Sequence, residues 1–318
     1  MTLQLGFGLP QTRYFGPRDV VTAARTLEDI GYHSLWVFER VLFPADQSGP
    51  HGLYGAPGTP WPDRYRAVAD PLLTLTAAAA VTSRAALGSC VLLPPLHLPF
   101  ALARSLATLD SRSGGRVLAG LGTGWSIDEY AALAPRPFAE RGPALDEFLD
   151  IAAAAWGPDP VAYENDRYRI GPAEVGPKPA GRIPILLAGS NRRALSRVAR
   201  RADGWLMTGA PPAALAALLG RLREMAAAAG RDPGAIGCYF QMAVSGFGER
   251  GPHAGAEHGA ERAPYGGTVP QLIDDLAALA EAGADHVFIQ LPTVTSGLAE
   301  YLDRAAELHT AARAAGLL

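Results

Sequence analysis

The chain has 318 residues, 48% of them hydrophobic and 19% charged, with a formal net charge of −3. That composition supports a sizeable core and argues against global disorder, and the small charge leaves no electrostatic footprint for nucleic acid or an anionic membrane. The two cysteines, Cys90 and Cys238, lie far apart and outside any CxxC spacing, which excludes a disulfide framework and argues against a structural zinc site.

The opening MTLQLGFGLPQTR has no basic segment and too short an apolar run for a signal peptide. Its stretch 3–9 reads as a strand. A helix is expected over 17–30, with Pro17 early and Gly31 just past its end. Residues 34–38 (SLWVF) form a strand and 71–82 a helix. The run 85–103 is uncharged and long enough for a membrane span. Gly88, Pro94, Pro95 and Pro99 divide it into a strand (85–93), a loop and the start of a helix (98–112). The expectation is therefore a soluble, cytoplasmic chain. Further strands are predicted at 116–122, 183–189, 203–209, 236–244 and 285–291. Helices are predicted at 126–133, 139–156, 191–201, 211–229, 269–283 and 297–315.

Eight apolar strands, each followed by a helix, fit a parallel sheet covered by helices. In about 300 residues they suit one (β/α)8 TIM barrel spanning 1–318 better than two dinucleotide-binding halves. Segments 39–70, 157–182 and 245–268 are too long for simple connections. The first and last follow strands, so they are expected as long inserted loops on the catalytic face. Their Tyr54, Trp61, Tyr65, Phe247 and Tyr265 suggest a largely aromatic pocket, or anchors for the loops themselves.

Four stretches carry candidate chemistry. Strand 2 ends on two charges, Glu39-Arg40. In LAGLGTGWSIDEY, Gly120, Gly122 and Gly124 let backbone pass close to a planar ligand or simply pack a corner. The spacing is not that of a dinucleotide fingerprint. Trp125 and Asp128 lie three apart at the start of the next helix, where an acid is also favoured by the helix dipole. In PILLAGSNRRALSR, the strand ends in Gly189-Ser190-Asn191 and enters a helix bearing Arg192 and Arg193. That suits an anion, while Ser190 or Asn191 could equally be a plain N-cap. In GSCVLLPPLHLP, Cys90 reads as a buried inert thiol, and His97 lies in the loop just beyond the strand. The remaining histidines, 33, 51, 253, 258, 286 and 309, show no ligand spacing, and no metal site is expected.

Taken together, LEDIGYHSLWVFERVLFP, the stretch from DPLLTLTAAAAVTSRAALGSCVLLPPLHLPFALARSLATLDSRSGGRVLAGLGTGWSIDEYAAL, PFAERGPALDEFL, VGPKP and PILLAGSNRRALSRVARRADGWL resemble the bacterial luciferase-like superfamily of flavin and deazaflavin barrels. The resemblance covers nearly the whole chain and is strongest to its coenzyme F420 branch. It implies a third-strand bulge at Cys90-Val91, with Ser89 adjacent, pressed on the cofactor ring. It places Gly122, Thr123, Gly124, Trp125 and Asp128 beside that ring. It places the cofactor phosphate at Gly189, Ser190, Asn191 and Arg192, with Thr208 and Gly209 closing the pocket. Many members carry Asp-His where this chain has Glu39-Arg40. Arginine is a poor acid or base, so the pair is expected to act as an electrostatic clamp, Glu39 orienting Arg40 or accepting a proton itself, or else to be an ordinary ion pair filling the barrel mouth. Trp125 stands where some sugar-phosphate dehydrogenase members have an acid, which argues against that substrate class. The resemblance implies an F420-dependent hydride-transferring oxidoreductase. The alternatives are an FMN-dependent two-component monooxygenase and a non-catalytic flavin-binding barrel. It further implies a homodimer, and a flavin or F420 reductase as a partner supplying reduced cofactor.

Overall fold

The computed structural model describes residues 2–16, 18–248, 262–291 and 295–318. The predicted helix start at Pro17, together with His253 and His258 in the 245–268 loop, lies outside those residues. Eight parallel strands close a barrel in sequence order: β1 Gln4–Gly8, β2 Ser34–Val37, β3 Ala86–Ser89, β4 Val117–Leu121, β5 Ile185–Ala188, β6 Gly204–Thr208, β7 Gly237–Ala243 and β8 His286–Gln290. Closure is made by β1 on β8, with Gln4 opposite His286 and Phe7 opposite Ile289. The helices are α1 Asp19–Ile30, α2 Pro71–Ala79, α3 Pro99–Ser113, α4 Ile127–Leu133, α5 Arg141–Trp156, α6 Arg192–Arg201, α7 Pro212–Ala228, α8 Val269–Glu281 and α9 Leu298–Ala314. Among the described residues no helix is long and apolar enough to cross a membrane.

The expected alternation of strand and helix is the observed one, because fully buried strands read as continuous apolar runs and helix ends carry their caps. Gly31 ends α1 in the left-handed region (φ 116°) and Gly114 does the same for α3 (φ 76°). Asp70 caps α2 by accepting from the Leu73 N–H. The segment 157–182 is not simple loop: Val161–Glu164 and Arg169–Ala173 form an antiparallel hairpin outside the barrel. The segment 39–70 holds three single turns, Gly49–His51, Leu53–Gly55 and Asp63–Arg66.

Among the described residues the core has two main layers, with a small third cluster at Leu93, Leu96 and Tyr130. The larger lies between strands and helices, and a smaller one fills the barrel interior around Trp36, Leu186, Leu206 and Phe288. Trp36 and Phe288 stack at 4.0 Å with their planes 10° apart. Such filling makes the interior a plug, so any ligand must sit above it, at the mouth.

Below that plug a polar chain fixes one histidine. Trp36 Nε1–H donates to Ser34 Oγ (2.6 Å), and Ser34 donates to His286 Nε2 (2.7 Å). The tautomer assigned from this network then places the proton on Nδ1, which donates to Gln4 Oε1 (3.1 Å). Burial, aided by His33, pushes His286 from 6.5 down to about 3. The unfolded chain therefore binds a proton here that the folded chain refuses. Stability is full above pH ~6.5 and falls as pH drops toward 3, by roughly 1.4 kcal/mol per unit from this residue. Urea unfolding between pH 6.5 and 4 should show a shallower slope in His286→Gln than in the parent chain. Identical slopes would exclude the assignment.

Candidate active site

A cavity of about 430 Å³ opens at the C-terminal ends of the strands. Its floor and walls come from all around the barrel: Phe38 to Arg40 after β2, Cys90 and Val91 after β3, Gly122 to Trp125 after β4, Ala188 and Gly189 at the end of β5, Thr208 on β6, Gln241 and Ala243 on β7, and Gln290 on β8. The loop after β2 adds Tyr54, Arg64 and Tyr65.

The β3 wall has the expected bulge. Cys90 N–H donates to the Val37 carbonyl (2.7 Å), the Cys90-Val91 peptide is cis, and Glu39 N–H donates to the Val91 carbonyl (3.3 Å). The chain rejoins β4 where Leu92 N–H donates to the Gly120 carbonyl (2.8 Å) and Gly122 N–H to the Leu92 carbonyl (2.9 Å). Two residues are thereby pushed into the cavity. Gly122 gives them room: a Cβ there would lie 2.7 Å from Val91 Cγ2. Burial raises the Cys90 thiol to about 12, so it is protonated at neutral pH and is no nucleophile. Ser89 is corrected. It lies behind the wall, 1% exposed, with Oγ donating to the Gly120 carbonyl (2.8 Å) and accepting from Gly120 N–H (3.1 Å). It holds the bulge and does not touch the cavity.

Glu39 and Arg40 both line the cavity, but they are not paired side chain to side chain. Adjacent residues in extended chain point to opposite sides. Glu39 Oε2 accepts from Leu93 N–H (2.6 Å) and Oε1 from His97 Nε2 (2.7 Å). Burial opposes charge on His97, yet the hydrogen bond and charge of Glu39 outweigh it and hold the imidazole above its ordinary value. His97 thus serves Glu39 from behind and is not part of the cavity wall. Arg40 turns the other way. Its Nε donates to the Glu39 carbonyl (2.6 Å), and its Nη1 lies 3.0 Å from Glu129 Oε2. The guanidinium is stacked against Trp125 (4.8 Å), with Trp61 and Tyr65 at 5.8 and 6.0 Å.

The Arg40–Glu129 contact is a charge pair without hydrogen-bond alignment. Nη1 and Oε2 are buried, and neither has a hydrogen-bond partner among the described residues. Burial pushes the Glu129 carboxyl up, offset in part by Arg40 and by the Val41 N–H that it accepts at 2.8 Å. Glu129 was not singled out by the sequence; its neighbour Asp128 was. Asp128 is corrected: it points to the loop, where it accepts from His51 Nδ1 (2.9 Å), and it pins the first turn of that loop instead of facing the cavity.

At the opposite rim, Gly189 (φ 122°) and Thr208 reach the cavity. Ser190, Asn191, Arg192 and Gly209 lie exposed just outside it, and Asn191 is the N-cap of α6, accepting from Ala194 N–H (2.9 Å). Gly209 (φ 69°) has open space where a Cβ would be. Of the loop aromatics, Tyr54 and Tyr65 line the cavity, while Trp61 is buried against Trp125 at 4.6 Å. Tyr265 is core, against Phe240, and Phe247 packs under Arg304. Arg64, Gln241 and Gln290 line the cavity without having been anticipated. Arg64 sits in a loop with no periodic constraint, whereas Gln241 and Gln290 are polar residues late in the otherwise apolar strands β7 and β8, a signal that points to the barrel mouth.

A closed parallel (β/α)8 barrel with its cavity at the C-terminal ends of the strands is an enzyme architecture. Residues 2–247 match the luciferase-like monooxygenase family, and the chain belongs to that family. An uncharacterized protein of Mycobacterium tuberculosis is 38% identical over 188 residues, which cover 58% of this chain and 66% of that protein. The match thus spans just under two thirds of that relative. An F420-dependent glucose-6-phosphate dehydrogenase of Nakamurella multipartita is 31% identical over 236 residues, covering 73% of this chain and 64% of that one. Among solved structures, an F420-dependent secondary alcohol dehydrogenase in complex with an F420-acetone adduct superposes with a TM-score of 0.76 at 18% identity, over 98% of this chain and 100% of that one. A monooxygenase from Streptomyces bottropensis gives 0.74 at 22% identity, over 97% of each chain. At those identities the structural likeness speaks for the fold.

Proposed function

We propose that the protein is an oxidoreductase that moves hydride between the deazaflavin ring of coenzyme F420 and a small organic substrate. The observation that carries the reading is the make-up of the cavity. Its walls are glycine backbone, a bulged strand and aromatic rings, its thiol is protonated, and its polar side chains are two arginines, two glutamines, two threonines, two tyrosines and Glu39, whose carboxylate is held by Leu93 N–H and His97. Such a site can hold a flat ring but offers no activated nucleophile of its own, so the redox chemistry must come from a bound group. The relatives named as F420-dependent support the choice of cofactor.

The residues present fit that group. Val91 and the Gly122–Gly124 turn would hold the ring, since Gly122 has no side chain to occupy the space beside Val91. Gly189, Thr208 and the α6 N-terminus with Ser190, Asn191 and Arg192 would hold its phosphate. When bound, the deazaflavin supplies the carbon that accepts or donates hydride. The Arg40 guanidinium would offer its charge to developing negative charge in the cavity. Trp125 and Trp61 keep water from that guanidinium. Glu39, held by Leu93 N–H and His97, fixes the carbonyl to which Arg40 Nε donates.

The second reading, an FMN-dependent monooxygenase, is supported by the description of the family, luciferase-like monooxygenase. Fluorescence titration of the purified protein with F420 and with oxidised and reduced FMN separates the two. Saturable binding of F420 in preference to either FMN form is the expected result. Preference for reduced FMN would replace the proposal with the second reading, and binding of none would remove both.

A further inference from the structure

We infer that Arg64 is the recognition site for a carboxylate on the substrate, and that the substrate is an apolar or aromatic monocarboxylate. The inference rests on the oxidoreductase reading for the identity of the cavity and deepens it by naming a substrate class.

Charge bookkeeping at the cavity carries it. Among the described residues, three charged side chains line the space: Glu39, Arg40 and Arg64. Glu39 is matched by His97 (2.7 Å), and Arg40 lies 3.0 Å from Glu129. Arg64 has neither a hydrogen bond nor an ion pair to any described residue. Its sequence neighbour Asp63 is committed elsewhere, to Arg13, Arg66 and Tyr14. Among the described residues Arg64 is the uncompensated charge of the cavity, a planar fork of donors stacked at 4.7 Å on Tyr65. A carboxylate is the anion that such a fork binds in two parallel hydrogen bonds.

Position argues for the substrate and against the cofactor tail. Arg64 hangs from the loop after β2. The glycine turn and helix N-terminus suited to a phosphate follow β5, and Thr208 is on β6. In an eight-stranded barrel β2 and β6 face each other across the mouth. The cofactor's anionic end, held as proposed, and Arg64 would thus lie on opposite sides, with the bulge between them. The surroundings also argue for a monoanion with a flat body. Tyr54, Tyr65 and Trp125 flank the space. The other cation on the cavity, Arg40, stacks on the same Tyr65 ring at 6.0 Å but is already charge-paired with Glu129, which leaves a single free positive charge, suited to a monoanion.

The test uses the whole protein and four acid–ester pairs: benzoate, cinnamate, phenylacetate and hexanoate, each against its methyl ester, with glucose 6-phosphate as the dianion. Binding is read by calorimetry and by quenching of tryptophan emission in the parent chain, Arg64→Gln and Arg64→Lys. F420 affinity is measured for all three. In the parent chain at least one acid should bind about tenfold or more tighter than its ester, the worth of a charged hydrogen-bonded pair. Arg64→Gln should abolish that preference, Arg64→Lys should keep part of it, and F420 affinity should stay within about twofold, because no contact to the cofactor is lost. No acid preference in any pair, absence of binding included, overturns the inference. So does tighter binding of glucose 6-phosphate than of every acid, or a loss of F420 affinity in Arg64→Gln with the acid preference intact. Acid preference lost in Arg64→Gln by a parent chain that binds neither F420 nor FMN supports the carboxylate site while sinking the oxidoreductase reading.

Discussion

Replacing Gly120 with alanine is expected to cost at least about 4 kcal/mol, a large share of the stability of an ordinary domain. A Cβ on Gly120 would lie 1.7 Å from the Ser89 carbonyl oxygen and 2.8 Å from Leu206 Cδ1. The first of these is backbone and has nowhere to go. Ser89 is fixed by its two hydrogen bonds to Gly120 itself, and the chain just beyond is fixed by Leu92 N–H on the Gly120 carbonyl. Relief therefore requires pulling β3 from β4 at the point where the bulge leaves the ladder. Ordinary overpacking costs about 1–3 kcal/mol because side chains can shift; here they cannot. Gly209→Ala is the control. Gly209 has φ 69° and open space around it, so alanine there should cost only about 1 kcal/mol. Thermal and urea unfolding of both variants checks the pair. A Gly120→Ala protein as stable as Gly209→Ala would show that β3 and β4 can separate at the bulge without loss.

The same bulge shows how far the sequence could be read. Buried parallel strands betray themselves as apolar runs and helices by their caps, so all eight barrel strands and the helices between them were legible. The predicted strand 85–93 is the instructive case. Only Ala86–Ser89 is ladder, and the remainder is bulge and return. The hairpin at Val161–Glu164 and Arg169–Ala173 escaped notice because it is largely exposed and carries little apolar alternation. At the site, Glu39, Arg40, Cys90, Val91, Gly122, Thr123, Gly124, Trp125, Gly189 and Thr208 line the cavity. What local reasoning could not fix was direction. Asp128 and Glu129 are neighbours on α4, a helix of 7 residues. Which of the two faces inward depends on helical phase, and so short a segment does not set it. A signal did exist. Ser126 and Glu129 stand at the spacing of a capping box, and Ser126 Oγ does accept from Glu129 N–H (3.2 Å). That fixes the register of the first turn, with Glu129 and Tyr130 buried together. Arg64 lacked any such signal, because it enters the cavity through a loop whose path is set by contacts remote in sequence.

The pair that the sequence misassigned gives the second large effect. Glu129→Leu is expected to destabilise the protein by about 3–5 kcal/mol, since it leaves the Arg40 guanidinium buried with no counter-charge. Its side chain is 8% exposed and that of Glu129 1%, so water cannot take over. Arg40→Met should cost a similar amount by stranding the carboxylate. The double variant Arg40→Met/Glu129→Leu should be far more stable than either single change predicts. It removes both buried charges, forfeiting chiefly the Val41 N–H bond and the stacking on Trp125. A cycle of urea denaturations measures the coupling, and a value below about 1 kcal/mol would mean that the two charges are solvated independently. The double variant then decides what Arg40 is for. A single Arg40 change confounds unfolding with lost chemistry, so inactivity in Arg40→Ala proves nothing about a clamp. In the folded double variant the confound is gone. If the guanidinium stabilises charge in the cavity, turnover on an identified substrate should fall by about tenfold or more, the equivalent of ~1.4 kcal/mol in the transition state, with F420 affinity read separately. If the pair only fills the mouth of the barrel, the double variant should turn over at nearly the parental rate, because Met and Leu occupy much of the same volume. Arg40→Lys adds the remaining distinction. It keeps the charge but loses the flat face against Trp125, so a clamp that works by charge alone survives it and one that needs the fork does not.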